Sequence, residues 1–586
     1  MNTLIKEREY FLRRLRTDPF FLFQHLADLS CVVVRKINNK VRIKFADKHI
    51  GAKRTPAWID KKSLAQNYRY PNDQVGLILP GYQVARAVSL TQLPIKSDKP
   101  QDDPEAYFEL SRWGFLLESL IGNSGDQQED LTKVFDWIQS HADKNDIAWE
   151  TYSACERVSN LLVYLSVKGI SSRPIDFDRS ITDFIADSVD WIYRHIEYYG
   201  LTGTNNHIIN NARALVVGGV AIGNEPAYQA GMKTFRECLP IMVGEGGFLR
   251  ERSSHYQLIV TNWVLDAWRF VDGRYGTDHP DVNFLKNYSQ CMIDAAAMLC
   301  DADGRLLGLV GDISPDASPV HSILRLARLY PEFWPVLDKP CQSTEIPEGW
   351  FRVSDSNQHV LGNFPSGAYP PNFPTHSHCD YTGFIWINEG VEILVDAGRY
   401  RYTPDEVSLL QKSALGHNVP LVNGFSPLCE TLLGNGLWWP KPYACARLES
   451  SISNDAIRLS HDGFARATSV ARHTRKITLE KNGLEVVDSF EGEGQVEIQL
   501  RWNFGASFNL FDDNLMSVMG ADGVVELVTQ GFGESLLVCA DVGNSDGGWI
   551  STNYGEVEPS ITVCISGDVT LPVVISTRFK YKKCVA

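Results

Sequence analysis

The stretch TGFIWINEGVEILVDAG, residues 382–398, decides how the C-terminal half of this chain folds. Its two apolar runs, 384–387 and 391–395, are short and rich in residues that favour strands. Asn388-Glu389-Gly390 between them is typical of a hairpin turn. The stretch therefore predicts an antiparallel hairpin that is followed at once by an acidic residue, Asp396.

Three histidines flank this hairpin: His376, His378 and His417. In an extended chain His376 and His378 would project from one face, because side chains alternate with a period of two. Two histidines and a carboxylate from neighbouring strands can form a three-ligand zinc site with an open position. Each residue alone could equally be a polar strand end satisfied by backbone and water. Four such residues close together favour a site, with one histidine of the pair left for other chemistry.

Many short alternating segments surround the hairpin and indicate a large antiparallel sandwich over 343–586. Lys481-Asn482-Gly483 and Glu491-Gly492-Glu493-Gly494 are turn signals between them. The expected strands are 350–353, 360–362, 382–387, 391–395, 446–450, 456–460, 475–479, 484–487, 496–502, 524–528 and 535–539.

Residues 101–342 have helical periodicity instead, with Gly, Pro, Asp or Asn between the apolar stretches. Residues 1–100 are an extension of mixed structure, with a helix at 5–29 and strands at 31–37 and 40–45. We therefore expect a multidomain α + β protein, an incomplete α/α barrel (toroid) followed by an antiparallel β-sandwich. The expected helices are 104–121, 129–142, 151–168, 179–198, 207–221, 226–240, 254–272, 282–300 and 317–330.

Composition limits the partners. The 586 residues are 44% hydrophobic and 22% charged, with a net charge of −15, which disfavours nucleic acid and anionic membranes. No apolar run is long enough to span a bilayer. The first residues, Met1–Arg8, lack the apolar segment of a signal peptide, so we expect a cytoplasmic protein, with periplasmic export left open. The twelve cysteines form no CxxC pair, which indicates thiols rather than disulfides.

Two polar clusters lie in the helical half. Asn205 is a good N-cap, which would place Asn206 and His207 in the first helical turn, where backbone N–H groups favour an anion. Further on, two serines cap a helix whose first turn carries Tyr256. That phenol could simply pack in the core; near arginines, however, it would ionise more easily and serve as an acid or base. The Gly311–Asp316 loop is interpreted as a structural turn, since its ligand spacing is too sparse for calcium.

Together these blocks resemble the heparinase II/III-like polysaccharide lyases. The matching residues, in chain order, are Trp149-Glu150-Thr151-Tyr152-Ser153 with Arg157, Asn206-His207 with Asn211, Gly246-Gly247-Phe248 with Glu251-Arg252-Ser253 and Tyr256, Gly311-Asp312, His376-Ser377-His378-Cys379-Asp380, Val395-Asp396-Ala397-Gly398 with Tyr400, and His417-Asn418. Each block is short, and their order and spacing carry the resemblance.

The resemblance implies cleavage of a uronate-containing polysaccharide by β-elimination. Asn206, with His207 beside it, would neutralise the uronate carboxylate at the +1 subsite. Tyr256 would protonate the leaving oxygen, and it could also take the C5 proton. His376 would be the base or assist it. The metal would be one zinc ion on His378, Asp396 and His417. The residues expected to contact substrate are Arg250, Glu251, Arg252, Arg399 and Arg401.

Two other functions stay open from the sequence. One is a zinc-containing enzyme that modifies or hydrolyses glycans, and the other is a non-catalytic glycan-binding or assembly protein on the same scaffold. In each case the partner is an acidic oligo- or polysaccharide, and a homo-oligomer is allowed. The acidic composition disfavours heavily sulfated heparin as the ligand.

Overall fold

The computed structural model describes most of the helical half and most of the sandwich. The described residues are 77–81, 103–122, 126–169, 179–198, 205–301, 304–316, 329–330, 347–355, 357–364, 376–427, 448–453, 455–510, 517–520, 523–533 and 536–583. The elements expected at 5–29, 31–37 and 40–45, and nearly all of the helix expected at 317–330, lie outside the described residues.

Helices fill the first half in the order that the apolar periodicity predicts. The expected helix at 104–121 is two helices, because Trp113 has a positive φ of 57° and interrupts the hydrogen-bond ladder. The helices are α1 (Pro104–Leu110), α2 (Gly114–Gly122), α3 (Gln127–Ser140), α4 (Thr151–Val167), α5 (Arg179–Arg194), α6 (Asn206–Ala221), α7 (Glu225–Met242), α8 (Ser254–Tyr275) and α9 (Pro280–Ala297), with α10 (Glu406–Lys412) inside the sandwich half.

The second half is made of antiparallel sheets. One has four strands in the order β1-β2-β3-β4. A second has ten, with β10-β11-β12-β16-β9-β8-β7-β6 as its main path, β13 on β16 and β5 on β9, and a third consists of β14 and β15. The strands are β1 (Trp350–Ser354), β2 (Gln358–Asn363), β3 (Ile385–Asn388), β4 (Val391–Leu394), β5 (Pro420–Val422), β6 (Leu448–Ile452), β7 (Ala456–His461), β8 (Val470–Glu480), β9 (Gly483–Asn503), β10 (Phe508–Leu510), β11 (Ser517–Gly520), β12 (Gly523–Gln530), β13 (Leu537–Val542), β14 (Trp549–Ile550), β15 (Glu558–Pro559) and β16 (Ile561–Lys583).

The two longest strands correct one expectation. The turn predicted at 491–494 is wrong, because β9 continues through it. β9 pairs with β16 from Asn503 to Gly494 and again from Phe490 to Gly483, with a shift of register between the two stretches. Gly492 and Gly494 have positive φ values of 152° and 87°. Glycine adopts such angles without steric cost, so the pair bends one strand rather than separating two.

The four-stranded sheet is buried on both faces and joins the halves. Trp350 and Ile385 belong to the helical core, whereas Phe351 and Trp386 belong to the core of the sandwich. This explains why β3 is a continuous apolar run instead of an alternating one. The hairpin predicted at residues 388–390 is present, with positive φ at Glu389 and Gly390.

Two further observations concern the described part of the chain. None of its helices combines the length and the apolar character that crossing a bilayer requires. No disulfide joins the cysteines described there.

Candidate active site between the helical half and the sandwich

Asn206 is the first residue of α6, where Asn205 caps the helix by accepting a hydrogen bond from the His207 amide. The fully buried Glu251 accepts two hydrogen bonds of 2.9 Å from Asn206, one from its backbone N–H and one from Nδ2. A carboxylate oxygen can only accept a hydrogen bond. The Asn206 side-chain atom that faces Glu251 is therefore the amide nitrogen and not the amide oxygen. Nδ2 also lies 3.1 Å from Nε2 of His376. Glu251 therefore holds the Asn206 amide towards that imidazole.

Tyr256 lies in the first turn of α8, and its ring stacks on that of His376 with centroids 3.7 Å apart. Its hydroxyl is 2.5 Å from the Tyr402 hydroxyl, which itself donates to the carbonyl of Ile313. Tyr256 must then be the donor to Tyr402. Burial raises the pKa of Tyr256 well above its usual value, so the expectation of easier ionisation is wrong. The phenol keeps its proton at neutral pH.

His376 lies in an irregular segment before β3, with its side chain 12% exposed. Its Nδ1 is 3.1 Å from Oδ2 of Asp312, and its Nε2 faces Asn206. The expectation that His376 and His378 share one face of a strand is wrong, because this segment is not a strand. The two rings are brought together by a common partner, Asp312, which binds Nε2 of His378 at 2.8 Å.

Asp312 is fully buried and has two cations beside it, Arg399 at 3.2 Å and Lys412 at 3.4 Å. Burial alone would raise the pKa of Asp312, but these cations and the histidine hydrogen bonds hold it well below its usual range. Burial also lowers the pKa of Lys412 to about 8. The carboxylate is thus an ionised acceptor at neutral pH.

His378, Asp396 and His417 form a group whose ligand atoms lie within 4.8 Å of one another. Nδ1 of His378 is 3.4 Å from one Asp396 oxygen, and Nδ1 of His417 is 3.3 Å from the other. Within the described residues, Nδ1 of His378 and Nε2 of His417 are buried without a hydrogen-bond partner. Buried polar atoms are rarely left in this state. Their presence, and the Asp312 bond behind His378, fit a site that holds a metal ion.

His207 lies beside Asn206 and is partly open, with 37% of its side chain exposed. Its Nδ1 is 3.2 Å from Oε1 of Glu197. Burial would lower the pKa of His207, but the Glu197 carboxylate outweighs it and raises the pKa to about 9. His207 is therefore a cation at neutral pH.

The side chains of Asn206, His207, Tyr256, Asp312, His376 and Tyr402 line one cavity of about 280 Å³. It lies where the helices meet the sandwich, with aromatic, acidic and basic groups in its wall. The lining residues are Glu105, Phe108, Arg112, Glu150, Tyr152, Asn205, Asn206, His207, Tyr256, Asp312, Pro315, His376, Arg399 and Tyr402.

Comparison with known proteins assigns the sandwich half. Residues 347–582 match the family model described as heparinase II/III-like, C-terminal. This sandwich half is heparinase II/III-like. No curated protein sequence matches the chain significantly.

Solved structures share the fold of the chain as a whole. Heparinase III has 13% sequence identity and a TM-score of 0.60, over 84% of this chain and 80% of that protein. A second heparinase III structure has 15% identity and a TM-score of 0.56, over 83% and 80%. Heparan sulfate lyase HepC from Pedobacter heparinus has 14% identity and a TM-score of 0.50, over 83% and 78%. The predicted resemblance, and the α/α toroid followed by an antiparallel β-sandwich, are confirmed.

The residues expected to contact substrate have different positions. Arg399 lines the cavity but is buried against Asp312, and Glu251 is buried beneath Asn206. Arg401 lies 3.6 Å from Asp405. The lining residues within the described part of the chain do not include Arg401, Arg250 or Arg252.

Sequence reasoning missed two residues of the site. Asp312 was interpreted as part of a structural turn, and Tyr402 was not singled out. For Asp312 the available signal was the Gly311-Asp312 pair, which is one of the sequence blocks that resemble the heparinase II/III-like lyases. For Tyr402 the signal was its position close behind Asp396, in the Arg-Tyr-Arg-Tyr run 399–402.

Proposed function

We propose that the protein is a polysaccharide lyase that cleaves a uronate-containing acidic glycan by β-elimination. The observation that carries the proposal is the meeting of Asn206, Tyr256 and His376 in one cavity. An amide, a phenol and an imidazole are together able to hold a carboxylate, donate a proton and remove one. The lyases named above share the fold of this chain, which supports the same conclusion.

Residues at the N-terminus of α6 would bind the uronate carboxylate of the substrate. Removing a proton next to an ionised carboxylate gathers negative charge beside an existing one. Asn206 offers an amide N–H, His207 offers a positive charge, and the helix N-terminus favours an anion. Donors directed at the developing enolate-like anion stabilise it, by about 3–4 kcal/mol for one well-placed donor.

The proton transfers fall to His376 and Tyr256. Asp312 accepts from Nδ1 of His376, so the lone pair of the neutral ring is on Nε2. This atom faces Nδ2 of Asn206, and it takes the C5 proton once the amide turns to the substrate carboxylate. Tyr256 keeps its hydroxyl proton because its pKa is raised, so it is suited to protonate the departing glycosidic oxygen. The two rings are stacked, so base and acid lie side by side at the scissile position.

The proposed metal ligands would stabilise the segment that carries the proposed base. His378, Asp396 and His417 are ligand types that zinc prefers. Zinc held there would supply positive charge and fix the segment that carries His376. His376 itself lies outside the ligand group and stays available to the substrate.

Charge in the cavity wall favours a glycan with few sulfates. Glu105 and Glu150 both line it. Arg112 is already paired with Glu105 at 2.8 Å and with Asp316 at 2.9 Å. The three lining carboxylates, Glu105, Glu150 and Asp312, balance the three lining cations, Arg112, Arg399 and His207. A wall without excess positive charge suits a uronate in a lightly charged chain better than a densely sulfated polymer.

A screen of acidic glycans, including bacterial capsular polysaccharides and alginate, tests the proposal. The ultraviolet absorbance of the unsaturated uronate end should rise with the wild-type protein and not with His376→Ala. New reducing ends without this absorbance would indicate a hydrolase. Binding to a glycan without any product would indicate a binding protein.

A further inference from the structure

One carboxylate touches both the proposed base and the metal group. Oδ2 of Asp312 lies 3.1 Å from Nδ1 of His376, and Oδ1 lies 2.8 Å from Nε2 of His378. These bonds link residues that are 64 and 66 positions apart in the chain. The two oxygens are therefore divided between the two imidazoles.

The surroundings decide which atoms carry the protons. Arg399 and Lys412 lie within 3.4 Å of Oδ2 and keep the carboxylate charged. An ionised carboxylate only accepts hydrogen bonds, so a neutral imidazole facing it presents its N–H. The protonated nitrogens are then Nδ1 in His376 and Nε2 in His378. The lone pair of His376 then lies on Nε2, towards Asn206, and the nitrogen of His378 left to ligate a metal is Nδ1, towards Asp396.

We propose that Asp312 is a positioning residue that sets the tautomer and orientation of His376 and His378 together, and so couples the metal group to the base. The tautomer assignment stands on the contacts alone. The consequence for catalysis rests on the proposed function, in which His376 removes the proton.

The backbone around Asp312 is built to keep the carboxylate in place. Its N–H donates to the carbonyl of His376 at 2.9 Å. Its carbonyl accepts from the hydroxyl of Ser253, the cap of α8, at 2.7 Å. The loop is thus tied both to the histidine segment and to the helix that carries Tyr256, so a shift of Asp312 would disturb three parts of the site.

Asp312→Asn tests the proposal, because an amide has one acceptor oxygen and can serve only one imidazole N–H. The first readout is the tautomer of each ring, from long-range proton–nitrogen spectra of zinc-loaded protein labelled with nitrogen-15 histidine. His376→Gln and His378→Gln identify the two signals. We expect wild-type rings with the proton on Nδ1 and Nε2 respectively, and a changed tautomer or a mixture in at least one ring of the variant.

The second readout is zinc binding, and the third is turnover on any glycan that the screen identifies. Loss of a hydrogen-bond partner behind a ligand typically weakens metal affinity or activity by about 10- to 100-fold. We expect that loss in zinc affinity and in kcat, with KM changed by less than about 3-fold. In a double-mutant cycle, Asp312→Asn and His378→Ala should be non-additive in kcat, because they act through one connection.

Two further variants separate positioning from stability. Asp266→Asn removes another buried carboxylate, paired with Arg213 at 2.7 Å, outside the cavity lining; it should keep wild-type zinc affinity and tautomers. Asp312→Asn with Lys412→Met lowers the excess positive charge and keeps the test available if the single variant does not fold. It should still show the changed tautomer and weakened zinc binding.

Wild-type tautomers and zinc affinity in Asp312→Asn, or in the double variant, would overturn the proposal. If these properties change as expected while the wild-type protein cleaves no glycan, the positioning role holds and the proposed function fails. If the wild-type protein is a lyase and Asp312→Asn keeps its kcat, tautomers and zinc affinity, the positioning role alone fails.

Discussion

Nδ2 of Asn206 lies 3.1 Å from Nε2 of His376, although the two residues are 170 positions apart. One begins a helix of the toroid, and the other precedes a strand of the sandwich. Tyr256 completes the group by stacking on His376. The site thus exists only where the two halves of the chain meet, and neither half contains it alone.

Asn206→Ala should lower kcat/KM by about 10²–10³, the usual effect of removing one donor to a developing anion. The loss of its hydrogen bond to the buried Glu251 carboxylate should also cost about 1–3 kcal/mol of unfolding free energy, so turnover is compared at a temperature where both proteins are folded. Turnover on a glycan found in the screen measures the effect, with the exposed Asn145→Ala as a control that keeps wild-type activity. Equal activity of both variants would remove Asn206 from the mechanism.

Tyr256→Phe should reduce kcat by about 10²–10⁴, because it removes the proposed acid and keeps the ring. The lost hydrogen bond to Tyr402 should cost about 0.5–1.5 kcal/mol of unfolding free energy. Urea denaturation and turnover are measured together. Tyr275→Phe, which loses a bond to Glu225 away from the cavity lining, is the matched control. A kcat loss no larger than that of the control would contradict the acid role.

The pH dependence of KM should reveal His207. The pKa of His207 is raised to about 9 in the fold, against about 6.5 for an unperturbed histidine. Its charge is therefore present at neutral pH and lost as the pH rises through about 9, where KM should increase. Any stability that the His207–Glu197 pair contributes is fully present below about pH 6.5 and is lost as the pH rises through about 9.

Glu197→Gln should move the rise in KM towards lower pH, because the neutral amide no longer favours the imidazolium. Steady-state kinetics from about pH 6 to 10 on a cleaved glycan gives the two profiles. Identical profiles for the wild type and Glu197→Gln would show that His207 does not bind the substrate carboxylate as a cation.

Purified protein should contain about one zinc ion per chain. His417→Ala should lose the metal, and chelation should lower the wild-type melting temperature. With free zinc at 100–1,000 times the Kd, the stabilisation should be about 3–4 kcal/mol. His359→Ala, outside the ligand group, should retain zinc. Elemental analysis with no metal in the wild type, and no effect of added zinc on melting, would contradict the site.

Gly311→Ala should destabilise the fold more than Gly223→Ala. Both glycines have positive φ, 82° and 65°. A Cβ at Gly311 would lie 2.7 Å from the carbonyl of Arg252 and 2.8 Å from that of His376, whereas Gly223 has open space. We expect Gly223→Ala to lower the free energy of unfolding by about 1 kcal/mol, and Gly311→Ala to lower it by about 1–3 kcal/mol more. Urea denaturation compares them, and equal losses would mean that the loop before Asp312 relaxes freely.

Local signals in the sequence predicted much of this structure. Asn205 and Ser253 cap helices at the expected places, because their side chains accept from backbone N–H groups in the first turn. The turn at 388–390 followed from its Asn-Glu-Gly sequence. The group of His378, Asp396 and His417 could be predicted because its ligands flank one hairpin and are close in the chain.

Long-range contacts were beyond the same reasoning. Asp312 reaches His376 across 64 residues, and no local pattern distinguishes it from an ordinary loop acid. β16 was missed, since Gly567 and Pro572 interrupt a segment that pairing with β9 nevertheless holds extended. The ionisation of Tyr256 was misjudged because burial, which depends on tertiary packing, outweighs its position near arginines in the chain.

The mass of the products tests the central claim most directly. Digestion of a responsive acidic glycan should release oligosaccharides lighter by one water molecule than the hydrolysis products, each with an unsaturated uronate at its new non-reducing end. Asn206→Ala, Tyr256→Phe and His376→Ala should each suppress that product. Products that carry the full mass of hydrolysis, or unsaturated products made equally well by all three variants, would contradict the account.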